Sequence, residues 1–393
     1  MTGSMAYNRS MRILFVADGR SPTALNWMSR FVERGDEVHL ASTFDCAPEL
    51  QVRGLDIVPV AFSTAKKTTS SPGSASSRGL GLRTVIRQWL GPLTISRAAR
   101  RLQTVIERVH PDLIHAMRIP FEGMLAADAY MGIPLVISVW GNDFTLHAPS
   151  TPLMQHYTRW TLKVADALHA DCQRDIRLAK RLGFSVNKPT LVAPGNGGIH
   201  TDIFYPPQPL VTEPVIINPR GFRAYVRNDI FFKAIPLVLE KRRDARFLCS
   251  SMSREARAIE WIKEYNIEHA VRLYPPVPHK QMADIFRTAQ IIVSPSIHDG
   301  TPNSLLEGMA CGCFPVAGDL DSIREWITPG VNGLLADAND PRSLADSILS
   351  ALENKDLRDK AAGLNAETIA RRAEYVRNME RVDEFYKRVL QKN

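Results

Sequence analysis

No apolar run in this sequence approaches the roughly 20 residues that a membrane-spanning helix needs. The opening residues MTGSMAYNRS carry no apolar leader, and Met11-Arg12 reads as a natural domain start, so a cytoplasmic location is expected. Cysteine is scarce: Cys46, Cys172, Cys249, Cys311 and Cys313 form no CxxC pair and no ligand spacing with histidines. That points to free thiols in a reducing compartment and away from a disulfide scaffold or zinc site. Glycine is thin where a dinucleotide fold would need it, because only Gly19 sits in the first strand-to-helix turn and no GxGxxG is present. No Ser-His-Asp set stands out and no close pair of glycosidase-type acids. The arginines are not interleaved with stacking aromatics, so nucleic acid is not expected as a partner.

What is present is length and positive charge. A chain of 393 residues predicts two domains of roughly 190 residues each. A net charge of +8 favours polyanionic partners, such as diphosphates or anionic lipid surfaces.

Along the chain, strand-like and helical runs alternate. RILFVA, the turn DGRSP, the amphipathic TALNWMSRFVERG and EVHLAS make a βαβ unit, with Leu25, Met28, Phe31 and Val32 at helical spacing and Gly35 as C-cap. Residues 63–81 are rich in Ser, Thr, Gly and Lys and too poor in apolar groups to pack, which predicts a mobile loop. Leu82 to Val109 follows as a helical, arginine-rich amphipathic segment, including Arg87, Arg97, Arg100 and Arg101, suited to anionic lipid, an anionic acceptor or plain solvation. DLIHA, PLVISVW, ALHAD and TLVAPG continue the alternation. PPQPLVTEP, with four prolines in nine residues, marks a hinge. VIINPRG, ARFLCSS, VRLYPP, IIVSPS and CFPVAG are five further strand candidates, and Ala366 to Leu390 reads as one long charged helix. Two successive doubly wound α/β domains result, with ligands expected in the cleft between the carboxyl ends of their strands.

The segment Ile291–Gly318 carries the most chemistry. A strand feeds the loop HDGTPN and then a helix expected to be capped by Asn303 or Ser304. Its free N–H groups and dipole suit a diphosphate, and Gly300 permits close approach. Glu307, one turn in, either stabilises the helix dipole or accepts hydrogen bonds from ribose hydroxyls; Asp299 stands in the loop eight residues before it.

Asp299-Gly300-Thr301-Pro302-Asn303-Ser304-Leu305-Leu306-Glu307-Gly308-Met309-Ala310-Cys311-Gly312 resembles the nucleotide-sugar signature of the family 4 retaining glycosyltransferases of the GT-B fold, also called glycosyl transferases group 1. The resemblance implies an α/β fold with two Rossmann-like doubly wound domains facing a central cleft. Residues 1–208 would form the acceptor-binding domain, 209–374 the nucleotide-sugar domain, and 375–393 a C-terminal helix packing back on the first domain. It implies that Glu307 binds ribose, that Asp299 contacts the transferred sugar, and that Gly300, Thr301, Pro302, Asn303 and Ser304 hold phosphate or sugar groups. Asp299 stands where the family usually has Glu, which bears on donor choice.

Members open the second domain with an Arg and a Lys that clamp the diphosphate. Arg220 in Asn218-Pro219-Arg220-Gly221 matches the Arg; no Lys follows, and Arg227, rather than Arg223, is the better substitute. In the first domain Gly19 is expected beneath the donor phosphates. His115-Ala116-Met117 echoes a His-x-His pattern with Met117 in second place, so His115 is a catalytic candidate or a strand-end histidine. Asp143, in Ser138-Val139-Trp140-Gly141-Asn142-Asp143, and His147 are further candidates for contacts to acceptor or sugar.

The expected activity is transfer of a hexose or N-acetylhexosamine, with retention, from a nucleoside-diphosphate sugar, best a UDP-sugar, to a glycan, lipid-linked or small-molecule acceptor, as in polysaccharide biosynthesis. No metal is expected, since arginines take the cation's place, and peripheral contact with the inner face of an anionic membrane is open. The rivals are a UDP-sugar epimerase on the same fold and a non-catalytic nucleotide-sugar-binding protein.

Overall fold

The structure, a computed structural model, describes residues 10–63, 87–223 and 225–391. Of the expected mobile loop only Ser63 is among them, and residues 82–86 of the arginine-rich segment also lie outside the described residues.

Seven strands build the first sheet: β1 Arg12–Ala17, β2 Glu37–Ser42, β3 Gly54–Ile57, β4 Leu113–Ala116, β5 Leu135–Val139, β6 Ala167–Ala170 and β7 Thr190–Val192. Six build the second: β8 Val215–Asn218, β9 Arg246–Cys249, β10 Val271–Leu273, β11 Ile291–Ser294, β12 Phe314–Gly318 and β13 Leu334–Ala336. Both sheets are parallel, ordered β3-β2-β1-β4-β5-β6-β7 and β10-β9-β8-β11-β12-β13. The order in which strands are added reverses between β1 and β4 and between β8 and β11, which puts a ligand crevice at the carboxyl end of each sheet. The central strands are apolar runs buried on both faces, and this is why they are legible in the sequence. The edges β3 and β13 are not: β3 alternates half-exposed with exposed residues, and β13 is three residues long.

Local signals set the helices. In Pro22–Arg34, Ser21 accepts a hydrogen bond from the Ala24 N–H, Pro22 opens the helix, and Gly35 closes it at φ 89°. Ala24, Trp27, Met28 and Phe31 are its buried face; the expected Leu25 and Val32 are only partly buried beside it.

The single helix expected over 366–390 is two. Lys355–Arg372 ends where Ile199 N–H donates to the Ala373 carbonyl and Tyr375 N–H donates to Ile199, so the chain bends before Tyr375–Gln391 begins. Gly198 permits this crossing: at φ 135°, an added Cβ would stand 2.5 Å from the Ala373 oxygen. The last helix then lays Met379, Val382, Phe385, Tyr386 and Val389 against Trp27, Phe31 and β1 of the first domain.

A buried polar chain runs through that packing. Trp27 Nε1–H donates to Tyr386 (3.1 Å), Tyr386 meets His115 Nδ1 (2.5 Å), His115 Nε2 meets Ser138 (2.7 Å), Ser138 meets His169 Nδ1 (2.8 Å), and His169 Nε2 reaches the Ala193 carbonyl (3.0 Å). One set of protons satisfies every link: each hydroxyl donates onward and each ring is neutral with hydrogen on Nε2. Burial holds both imidazoles below their usual range, His169 at about 4. His115 is therefore a core residue beneath the C-terminal helix, and the structure does not bring it to the cleft.

Tyr386→Phe leaves Trp27 Nε1–H and His115 Nδ1 without partners, at a cost of roughly 1–3 kcal/mol. The midpoint of denaturant unfolding should fall accordingly with its slope unchanged; an unchanged midpoint would refute the role given to this chain.

Candidate functional site

The site is assembled where β8 and β11 end. The helix Asn303–Ala310 is capped by Pro302, extended at φ −72° and ψ 109°, with no side-chain cap. Asn303 and Ser304 were expected to be the cap but are the first helical residues, because the proline already fixes the entry torsion. Among the described residues their N–H groups meet no acceptor, so the positive helix end is open.

Glu307 lies one turn in, 7% exposed, and its carboxylate accepts no hydrogen bond among the described residues. Burial pushes its pKa up to about 7, with Arg220 opposing. Arg220 follows β8, where Asn218 Oδ1 accepts its backbone N–H. Its guanidinium pairs with Asp299 Oδ2 at 2.5 Å and reaches Ser304 Oγ at 3.3 Å. The other Asp299 oxygen accepts the Gly300 N–H at 3.1 Å. Arg220, Asp299, Ser304 and Glu307 are thus brought together around one helix start.

Arg227 is not brought into this group. It pairs with Asp229 at 2.8 Å and bonds Asn339, both in its own domain. In the first domain, Gly19 spends its N–H on Ser42 Oγ, and an added Cβ there would strike Cys46 Sγ at 2.5 Å. Asp143 is fully buried and saturated: it accepts from the N–H groups of Ile119 and Trp140 and pairs with Arg118 at 3.0 Å. It shapes the loop that faces the second domain. His147 stands beside it, held at about pKa 4 by burial and by the Arg118 charge.

Sequence reasoning missed the groups that join the two domains. Arg174, on the helix Gln173–Arg181, gives Nη2 to the Gly141 carbonyl (2.7 Å) and Nη1 to the Asp299 carbonyl (2.6 Å) and Ser322 (3.1 Å). Asp175 accepts from Nε at 2.9 Å and from Nη2 at 3.1 Å. Glu325 of the second domain caps that helix by accepting the N–H groups of Gln173 and Arg174 at 2.8 Å. Asp171 accepts the Gly141 N–H with one carboxylate oxygen, while the other has no partner; its backbone carbonyl accepts the Thr301 hydroxyl. Burial and the neighbouring Asp175 push Asp171 well above the usual carboxylate range. No motif marks ADCQRD in sequence, where it reads as a strand end entering a helix.

Asp171, Cys172 and Asp175 have ligand atoms within 4.8 Å of one another. They are committed elsewhere: burial keeps the Cys172 thiol protonated and donating to Asp175, which Arg174 neutralises. Such a set does not suit a divalent cation.

Comparison with known proteins gives this geometry its context. Residues 204–366 match the family model "Glycosyl transferases group 1", and residues 18–195 match "Glycosyl transferase 4-like domain". The chain belongs to the group 1 glycosyltransferases. Among curated relatives, it is 28% identical over 157 residues to a D-inositol 3-phosphate glycosyltransferase of Thermobispora bispora, covering 37% of this chain and 36% of that one. To the protein of the same name from Xylanimonas cellulosilytica it is 26% identical over 226 residues, 53% of each. The chain thus spans between about a third and half the length of these relatives.

In three dimensions it superposes on sucrose-phosphate synthase from Thermosynechococcus elongatus with a TM-score of 0.77 at 16% identity, over 98% of this chain and 100% of that one. Anabaena HepE, solved in complex with UDP and glucose, superposes at 0.69 and 14% identity over 96% and 99%. The fold is GT-B. No helix among the described residues is long and apolar enough to cross a membrane.

In this chain the two domains meet on glycine. A Cβ on Gly141 would fall 1.8 Å from Gly300 N, and one on Gly300 would fall 2.2 Å from Asp171. Only backbone contact lets the Asp299 loop sit against the first domain. Gly141→Ala should therefore force the seam apart and leave Arg174 short of its acceptors, lowering turnover at least tenfold and lowering the melting temperature. Unaltered turnover would show that this close approach is dispensable.

Proposed function

We propose that this glycosyltransferase is a retaining enzyme that moves a hexose or N-acetylhexosamine from a UDP-sugar to an acceptor hydroxyl. The single observation that carries the reading is the convergence of Arg220, Asp299, Ser304 and the buried, unbonded Glu307 carboxylate on one open helix N-terminus. That the similar Anabaena protein was solved with UDP and glucose supports the choice of donor.

The diphosphate would lie on the free N–H groups of Asn303 and Ser304, its charge met by the helix end and Arg220. The ribose hydroxyls would donate to Glu307, and a sugar hydroxyl to Asp299, whose orientation Arg220 and the Gly300 N–H fix. The bond from the sugar's anomeric carbon to the phosphate oxygen breaks as the acceptor oxygen bonds the same face. The acceptor's proton passes to the departing phosphate oxygen, so no protein nucleophile is required. The protein's part is to position the partners and stabilise leaving-group charge. Arg227, held by Asp229, would need to change partners to join. The acceptor is a glycan, a lipid-linked saccharide or a small molecule.

The test is nuclear magnetic resonance of the product after incubation with UDP-sugars and candidate acceptors. An axial anomeric linkage from an α-linked donor is expected, and an inverted linkage would overturn the mechanism. The pH dependence of UDP binding reports on Glu307. Its pKa of about 7 means the folded protein holds that proton below pH 7, and the ribose needs the ionised form. Wild-type affinity should therefore be at least tenfold above that of Glu307→Gln at pH 8 and fall toward parity with it through a single titration centred near pH 7. A nucleotide-binding protein without transferase activity would pass the binding test but release no UDP when acceptor is added.

A membrane contact is supported by Trp89, Leu90 and Leu93, which are 56%, 47% and 67% exposed next to a helix, Ile95–Val109, with Arg97, Arg100 and Arg101 on its outer face. Flotation with phosphatidylglycerol vesicles should be lost in Trp89→Ala/Leu93→Ala; equal flotation of both proteins, or none by the wild type, would discard the contact.

A further inference from the structure

The first-domain wall of the cleft holds a cationic cluster that the donor site does not use. Arg20 lies over the Phe44 ring at 3.7 Å, and Arg87 lies at 5.0 Å from Phe44 and 4.5 Å from Phe121. Arg118 completes the group, stacked toward Trp140 at 5.8 Å. Two of the three have carboxylates: Arg20 is paired with Asp18 at 2.8 Å and Arg118 with Asp143 at 3.0 Å. Arg87 has none. Among the described residues it makes no hydrogen bond and no ion pair, and its Nε is buried without a partner.

A half-buried guanidinium wedged between two rings and left unbonded is costly unless something meets it. The nearest remaining acid, Glu122, is buried, bonded by the Thr43 hydroxyl, and pushed above the usual carboxylate range by that burial, so it compensates poorly. Burial and the neighbouring Arg118 also pull Arg87 down, which an arriving anion would reverse. The Nη1 groups of Arg20 and Arg118 are likewise unbonded among the described residues, so the cluster offers more donors than one carboxylate would consume.

The backbone here is strained. Arg118 sits at φ 139° and Phe121 at φ 71°, both in the region that disfavours side chains, and such strain concentrates at ligand sites. The short helical turn carrying Arg87 is anchored by the Thr151 hydroxyl, which donates to the Gln88 carbonyl. The location is specific as well. Arg118 also donates to Asn142 Oδ1 at 3.3 Å, and the adjoining Gly141 touches Gly300 of the donor loop. Arg118 further faces Tyr225 across the cleft.

We propose that Arg20, Arg87 and Arg118 form a subsite for a phosphomonoester carried by the acceptor, which holds that molecule so that a hydroxyl reaches the donor sugar beside Asp299. The acceptor role rests on the transferase reading above; the anion site itself does not. Planar guanidinium forks suit a phosphate dianion, and the aromatic faces keep them fixed in its absence.

The test is titration calorimetry with inorganic phosphate and with glycerol 3-phosphate, glycerol serving as the neutral control, all in saturating UDP to block the diphosphate site. The wild type should bind both phosphates and not glycerol. Arg87→Ala and Arg87→Gln should weaken that binding at least tenfold while the UDP affinity stays unchanged. Should the Arg87 variants fail to fold, Arg20→Gln, at an exposed side chain, carries the same expectation. Phosphate affinity unchanged in these variants, or abolished by UDP in the wild type, overturns the proposal. If the wild type fails to bind UDP yet binds phosphate through Arg87, the donor reading falls and the anion site stands. Vesicles of phosphatidic acid against phosphatidylcholine distinguish the source. Arg87-dependent sedimentation with phosphatidic acid identifies a lipid headgroup, and binding of the soluble esters alone identifies a free phosphorylated acceptor.

Discussion

The arrangement of this molecule depends on one buried guanidinium. Arg174 has five N–H donors, and each finds an acceptor: two on Asp175, the carbonyls of Gly141 and Asp299, and the Ser322 hydroxyl. Taking an arginine out of water is expensive, and a pair with Asp175 alone would recover only part of that cost. The remainder comes from two backbone carbonyls and a hydroxyl, two of the three lying in the other domain. The first domain's most buried cation is therefore satisfied only when the Asp299 loop is in place.

That dependence explains why the glycines matter. Backbone-to-backbone approach at Gly141 and Gly300 is what brings the Asp299 carbonyl within reach of Arg174. The same loop then presents the Asp299 carboxylate to Arg220 on its other side. One short segment is held from both domains at once, by its carbonyl and by its side chain. Opening the cleft would strand Arg174.

Much of this was legible in the sequence, for identifiable reasons. Central parallel strands are continuous apolar runs, so β1, β4, β5, β8 and β11 stand out, whereas β3 and β13 are short edges whose pattern carries little signal. Asp299 through Glu307 is a contiguous motif whose chemistry belongs to one loop and one helix turn. Arg220 could be placed for the same reason. Arg227 could not, because its choice of Asp229 over the cleft is made by a side chain two residues away. His115 looked like a cleft residue from its strand-end position, but its partner Tyr386 is 271 residues distant on a helix that returns from the far end of the chain. Arg174, Asp171 and Glu325 were invisible for a related reason, since their meaning arises only when two domains meet.

The central claim is that a nucleotide sugar is held at the helix start beside that seam. A crystal structure of the protein with a UDP-sugar tests it most directly. The account predicts ribose hydroxyls within hydrogen-bonding distance of Glu307, the diphosphate on the N–H groups of Asn303 and Ser304 with Arg220 beside it, and Arg174 still bridging Gly141 and Asp299. A nucleotide bound elsewhere, or bound here with the Arg174 bridge broken, would contradict it.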